Sequence, residues 1–358
     1  MTAKAQPHHP ESTLARTVPA DAHQENDVHQ EVMDMILGYW VSQTIRAIAD
    51  LSIADHLASG GLTAAEIADR EGAAVETTFR LLRAGVGLGL ITVDADRRFH
   101  STDGLATLRQ DATRSLRSIA LSFTDPEVLQ SWNGFVTSVR NGDRQADGAA
   151  EPQFYAHLAQ NPEAAERFSA AMASATSCWS HNIAEVIDTT KVQRAVDVGG
   201  ANGTLVRLLQ RSNAALQAVI FDEPAVIAWA QSDIARSGFP DRTVVVGGDF
   251  FKSVPPGDLY LLKFILHNWN DQQCIEILRQ CRRAALPGAR IAIIEFIVGD
   301  LTDPGRMATL DDLAMLAVLG GRSRSLDEFD GLLTAAGLRR ISVRPTTYPQ
   351  SVIEAVVD

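Results

Sequence analysis

The chain has 358 residues, 46% hydrophobic and 21% charged, with a formal net charge of −12. That profile is of a soluble globular protein larger than one typical domain, and its acidity leaves no electrostatic footprint for nucleic acid or an anionic membrane. Three cysteines cannot build a disulfide scaffold; Cys274 and Cys281 lie two helical turns apart on a face with Leu278 and Ala285, which suits a reduced core helix better than a metal pair.

No run is long and apolar enough to span a bilayer. Residues 1–27 are polar and lack an apolar signal-peptide core, so a disordered tail and a cytoplasmic protein are expected, with His8 and His9 solvated and no metal site. From Val28 the pattern is helical. Val32, Met35, Ile36, Tyr39, Trp40, Ile45 and Ile48 recur at three- and four-residue spacing, a wide aromatic face suited to a partner helix or a homodimer interface. Thr63 and Glu66 then form a capping box, Gly72 turns the chain, and a second helix from Val75 carries Phe79, Leu81, Leu82 and Val86. "LITVDADRRFHST" reads as a hairpin with Asp94–Arg97 at its tip. Helix, turn, helix, hairpin is a winged-helix pattern over 28–150. It serves DNA binding or dimerisation. The second helix offers only Arg80 and Arg83 as cations, beside Glu71 and Glu76, so a dimerisation scaffold is preferred over a transcriptional regulator. More helix is expected from Leu105 to Arg140, a loop over Asn141–Pro152, and a helical connector in 151–190.

After Lys191 the period changes. Five strand-like runs, "RAVDVGG", "QAVIFDE", "TVVVGGDFF", "DLYLLKFILH" and "ARIAIIEFIV", alternate with helical stretches. That order predicts an α/β fold over 151–358, a doubly wound, Rossmann-like parallel sheet covered on both faces, with "TTYPQSVIEAVV" as a last strand or hairpin edge. Ligands of such sheets bind at the carboxyl ends of the strands. The first exit, "VDVGGANG", holds Gly199 and Gly200, which let backbone approach a ligand; Ala201 and Thr204 break the dinucleotide fingerprint and argue against NAD. Asp222 lies about 20 residues on, where an acid holds ribose hydroxyls. Asp249 can accept from an adenine amine, and Phe250 can cover the ring. The fourth run is read as a buried strand over Leu259–Leu266. It carries Lys263 and is closed by His267, and the fifth ends at Glu295. A buried lysine needs a partner, and a cleft at the strand ends can supply one.

"VDVGGANG", "FDEP", "GGDFF", "LLKFILHNWND" and "IIEFIV", in this order, resemble the S-adenosylmethionine-dependent small-molecule O-methyltransferases of the caffeate, hydroxyneurosporene and anthracycline type. The likeness covers nearly the whole chain, and it implies a winged-helix dimerisation domain before the catalytic domain. It also implies that Gly199 borders the methionine part of the cofactor, Asp222 holds ribose, Asp249 and Phe250 hold adenine, Trp269 flanks it, and Lys263 is a further contact. His267 would be the general base and Glu295 the carboxylate that orients it. Phe168, Met172, Asp312, Met315 and Leu316 would line the acceptor, an aromatic or polycyclic hydroxylated small molecule. Asn268 stands where many members have Asp. Ser323 stands where plant members have a further acid. Relatives that decarboxylate, hydroxylate or methylate nitrogen share the fold, and the His267–Glu295 pair favours O-methylation over them.

Overall fold

The computed structural model describes residues 20–142, 158, 160–237 and 239–357. His8 and His9 lie outside the described residues, as does most of the expected Asn141–Pro152 loop. The first helix, Ala20–Asp50, starts eight residues before the expected Val28, so the latter part of the supposed tail continues it. Its apolar face is open. Met35, Ile36, Tyr39 and Trp40 are each more than half exposed, whereas Ile48 is buried.

The helices Ala64–Glu71 and Val75–Gly87 follow, with the Thr63–Glu66 capping box formed. The hairpin pairs β1 (Ile91–Val93) with β2 (Phe99–Ser101). Ile48, Ile53, Leu57, Ile67, Leu82 and Phe99 close a small core beneath it. The helix expected over Leu105–Arg140 comes as short pieces, chiefly Arg117–Phe123, Pro126–Ser131 and Phe135–Asn141. Asp125 and Pro126 begin one piece, and Gly134 and Gly142 interrupt or end the rest. The connector helix is Pro162–Trp179.

The large sheet holds β3 (Arg194–Val198), β4 (Gln217–Asp222), β5 (Thr243–Gly247), β6 (Gly257–Lys263), β7 (Ala285–Val298), β8 (Arg324–Ser325), β9 (Leu338–Pro345) and β10 (Gln350–Val357). The order is β5-β4-β3-β6-β7-β10-β9, with the two-residue β8 beside the end of β7. The first five strands of that order are parallel, and β10 and β9 run antiparallel. The last strand is therefore interior, and β9 forms the edge. Side chains alternate across the sheet. Val196, Val198, Tyr260, Leu262, Ile291 and Ile293 pack under the helices Asp271–Ala284 and Leu326–Ala335. Ala195, Leu259, Leu261, Ala292 and Ile294 pack under Thr204–Ser212. Cys274 and Cys281 are buried and free on the first of these helices, which ends before Ala285.

The antiparallel extension steadies β7. Ser351 of β10 pairs opposite Glu295. Glu354 of β10, only 3% exposed, accepts from Arg290 (2.6 Å), Arg344 (2.7 Å) and Ser342 (3.1 Å). Glu354→Ala strands two guanidinium groups, both able to reach water. It should lower the unfolding free energy by about 2 kcal/mol, below the cost for a fully buried pair. Urea unfolding of the two proteins gives the difference, and an unchanged midpoint would show the triad to be idle.

Candidate active site

The strand exits converge at one end of the sheet. After β3 the chain turns through Gly199 (φ 68°) and Gly203 (φ 75°) into the Thr204–Ser212 helix. A Cβ on Gly199 would lie 2.4 Å from Ile265 Cδ1, and one on Gly200 would lie 2.9 Å from the Asp197 carbonyl oxygen. Both positions therefore exclude a side chain. Their N–H groups are not aimed at a ligand, however. Both donate to the Phe221 carbonyl, which ties the turn to β4. The turn's role is close approach rather than donation. Ala201, at φ 47°, donates instead to Asp222 Oδ2 at 2.8 Å.

Asp222 also accepts from the Glu223 N–H at 2.8 Å through its other oxygen. Each oxygen keeps a second acceptor position for a diol. Burial pushes its carboxyl up to about 6, against the pull of those two N–H groups. At the next exit Asp249 accepts from the Phe251 N–H and pairs with Lys252, and its side chain is 42% exposed. Beside it Phe250, Phe251 and Trp269 form an aromatic wall, with Phe250 and Trp269 edge to face at 5.9 Å.

Lys263 ends β6 on the face of Leu259 and Leu261, the same face as Asp197 on β3. Burial lowers its ammonium to about 7, opposed by the charges of Asp197 and Glu295, and burial raises the Asp197 carboxyl to about 7. One Asp197 oxygen is buried with no hydrogen-bond partner among the described residues. A buried acceptor left over beside a turn that excludes side chains fits a ligand bearing positive charge. Neighbouring exits offer a diol acceptor and an aromatic wall. Together these residues fit a cationic adenosine derivative.

β6 stops at Lys263 rather than continuing to Leu266 as expected. Phe264 takes φ 54°, a conformation rare for a bulky side chain and costly unless its surroundings enforce it. The N–H of Phe264 donates to the Ile294 carbonyl, and Asn268 Nδ2 donates to the Phe264 carbonyl. Leu266–Asn268 then forms one 3₁₀ turn. That kink carries His267 off the strand. His267 is 8% exposed, and its imidazole stacks on the Phe264 ring at 5.3 Å and 20°. Phe264 packs on Phe296, and both pack on Trp179 at the end of the connector helix. Sequence reading missed this aromatic enclosure, although two of its members lie inside the quoted strand runs.

His267 Nδ1 meets Asp311 Oδ2 at 3.1 Å. Glu295, 1% exposed, accepts the His267 backbone N–H at 3.2 Å. The carboxylate that meets the ring is therefore Asp311, which the sequence reading passed over; Glu295 meets the backbone beneath instead. The reason is geometric. Glu295 leaves β7 below the 3₁₀ turn, whereas Asp311 arrives on the Arg306–Val318 helix, which packs over it. A signal was present, because Asp311 lies three residues after buried Ala308 and seven before buried Val318, on the inward stripe. Asp312 accepts the Ser323 N–H at 2.8 Å, a contact that holds the following loop rather than an acceptor wall. Phe168 and Met172, one turn apart, are half-buried on the connector helix, and Met315 and Leu316 are half-buried on the Arg306–Val318 helix. Among the described residues no cluster could hold a metal ion, and no helix is long and apolar enough to cross a membrane.

Burial works to lower the His267 pKa. The hydrogen bond that the ring donates to Asp311 and the charges of Glu295 and Asp311 outweigh it, so the net shift is upward. A carboxylate only accepts, so in the neutral ring Nδ1 carries the proton and Nε2 keeps its lone pair. Nε2 has no partner among the described residues. Nδ1 bound to a carboxylate and Nε2 without a partner is the arrangement a histidine base requires.

Two family models match the chain. Residues 132–339 match the O-methyltransferase domain, and residues 33–108 match the O-methyltransferase dimerisation domain. Phenazine O-methyltransferase of Lysobacter antibioticus is 34% identical over 90% of this chain and 95% of its own length. O-demethylpuromycin-O-methyltransferase of Streptomyces alboniger is 32% identical over 94% and 91%. The crystal structure of an O-methyltransferase from neocarzinostatin biosynthesis, in complex with S-adenosyl-L-homocysteine and 1,4-dihydroxy-2-naphthoic acid, aligns with a TM-score of 0.72 at 30% identity, covering 88% of this chain and 96% of that one.

The state of Asp222 makes a binding prediction. A diol ligand is held by the carboxylate, which is lost as pH falls through about 6. Affinity for S-adenosylmethionine should therefore weaken between pH 7.5 and 5, by up to about tenfold per unit below that value. Calorimetric titration at the two pH values tests this, and Asp222→Asn should be weak at both.

Proposed function

The chain belongs to the O-methyltransferase family that carries a dimerisation domain, and from that premise we propose the roles of its site residues. It is an S-adenosylmethionine-dependent O-methyltransferase of small aromatic or polycyclic molecules. In the proposed arrangement Gly199 and Gly200 give close access beside Asp197. Asp222 takes the ribose, and Asp249 takes the adenine amine. Phe250 and Trp269 flank the ring, and Lys263 closes the site from below. When bound, the cofactor supplies a sulfonium methyl group, which is electrophilic without further activation. The chain's own task is then to align an acceptor hydroxyl and take its proton.

His267 takes that proton at Nε2. Asp311 holds Nδ1 and stabilises the imidazolium that forms, as an orienting carboxylate does in other histidine bases. Glu295 keeps the backbone of His267 fixed and adds a second negative charge to the site. The observation that carries this reading is the asymmetry of the ring, with Nδ1 bound to a carboxylate and Nε2 open. The enclosure by Trp179, Phe264 and Phe296 supports a flat aromatic acceptor, as does the naphthoic acid bound by the neocarzinostatin-pathway relative. Phe168, Met172, Met315 and Leu316 are proposed as further walls, and a homodimer formed through the exposed face of the Ala20–Asp50 helix as the working unit.

Two outcomes follow. His267→Ala should cut turnover by about 10²–10⁴-fold. Cofactor affinity by calorimetry should stay unchanged, and undiminished turnover would remove His267 from the chemistry. The second concerns pH. The base must be neutral to act, so kcat/KM rises with pH through its pKa. Because that pKa is raised, the acid limb should lie above the ordinary imidazole value of about 6.5. Asp311→Asn should move the limb downward and lower turnover. A limb unmoved in that variant would exclude Asp311 as the orienting group.

A further inference from the structure

Arg324 is the largest fully buried side chain among the described residues, at 0% exposure. A buried guanidinium is costly unless all its donors are met. Here each is. Nε and Nη2 donate to Asp271 Oδ1 at 3.0 and 2.7 Å, and Nη2 also donates to the Trp269 carbonyl at 2.8 Å. Nη1 donates to the carbonyls of Leu266 at 3.0 Å and Arg322 at 3.4 Å. Leu266 and Trp269 bracket His267. The Leu266 carbonyl also accepts the Trp269 N–H that closes the 3₁₀ turn, and Cys274 Sγ lies against both carbonyls; the guanidinium adds charged donors to the same two oxygens and so ties both ends of the turn to one rigid group.

Its neighbours grip the same turn. The Arg322 N–H donates to the His267 carbonyl at 2.9 Å, and a Cβ on Gly321 would stand 2.0 Å from that oxygen. The Ser323 hydroxyl donates to Asp311 Oδ2 at 2.9 Å, the oxygen that faces the imidazole. One short segment therefore holds the backbone on both sides of the base, the base's own carbonyl, and the acid behind its ring.

We propose that Gly321–Arg324 is a strap that sets the position of His267 relative to the aromatic wall at Trp269, and that Arg324 is its principal positioning residue. Arg324 touches neither acceptor nor cofactor; it acts through the turn. Lysine in its place keeps the charge but cannot reproduce the planar fork that reaches three carbonyls and a carboxylate together. The proposal rests on His267 as the base.

The test is a mutant cycle. Arg324→Lys is measured in the native background and in His267→Ala, with active sites counted by cofactor binding. In the native background kcat should fall about 10–100-fold, the scale expected for a misplaced catalytic group. KM for the acceptor should change little, and the acid limb of kcat/KM should shift. In the His267→Ala background the same substitution should lower the residual rate less than about twofold, because the group it positions is gone. Equal losses in both backgrounds would overturn the strap and leave Arg324 a stabilising residue. Asp271→Asn, which loosens the guanidinium from its exposed side, runs through the same cycle should Arg324→Lys not fold, with a smaller loss of the same kind expected. Full turnover in His267→Ala alone would instead defeat the assignment of the base.

Discussion

The contact between His267 Nδ1 and Asp311 joins two parts of the catalytic domain that the sheet alone does not bring together. His267 belongs to the turn after β6. Asp311 belongs to a helix inserted after β7, outside the alternating pattern that builds the sheet. Several other features of the site serve that meeting. Phe264, forced into a left-handed conformation, throws the chain off the strand so that the imidazole can face the helix. Glu295 holds the turn from below through its backbone N–H. The helix is registered by Asp312 and Asp311, both of which receive hydrogen bonds from Ser323.

Charge arrangement follows the same economy. Asp197, Lys263, Glu295, His267 and Asp311 alternate acid and base across the strand ends, each affecting its neighbours electrostatically, while burial raises the Asp197 and Glu295 carboxyls and lowers the Lys263 ammonium. Buried separately, each would be driven toward its neutral form. In a row, desolvation and attraction oppose each other. The result is a site with three acids and two bases, one acid oxygen of which is unpaired among the described residues.

Much of this was legible in the sequence, because the parallel sheet imposes a rule: chemistry sits where strands end. Asp222, Asp249, Lys263 and His267 were found by reading exits, and the structure gathers them at one end of the sheet. What could not be read was the partner on each side chain. Glu295 and Asp311 are both acids near the base, and only the kink at Phe264 decides which meets the ring. Strand propensity favoured a continuous Leu259–Leu266, since nothing local in "KFIL" announces a left-handed residue. The N-terminal pieces after Leu105 were blurred for a related reason. Their apolar periodicity continues across Gly134 and Pro126, and capping rather than pattern ends each one.

Ser323 shows how a departure from the family's pattern is absorbed. The position resembles one held by an acid in plant relatives, and a serine there would leave the base with one carboxylate fewer if roles belonged to fixed positions in the chain. The hydroxyl instead donates to Asp311, whose carboxylate reaches the imidazole from the helix. In this chain the carboxylate beside the imidazole comes from the helix, and Ser323 supports it. A helix also holds that carboxylate more rigidly than a loop would, and a base whose tautomer must be fixed gains from rigidity behind it. The loop, relieved of carrying the acid, is left to hold the turn. Its glycine admits the His267 carbonyl, its backbone bonds it, and its buried arginine caps the carbonyls on either side.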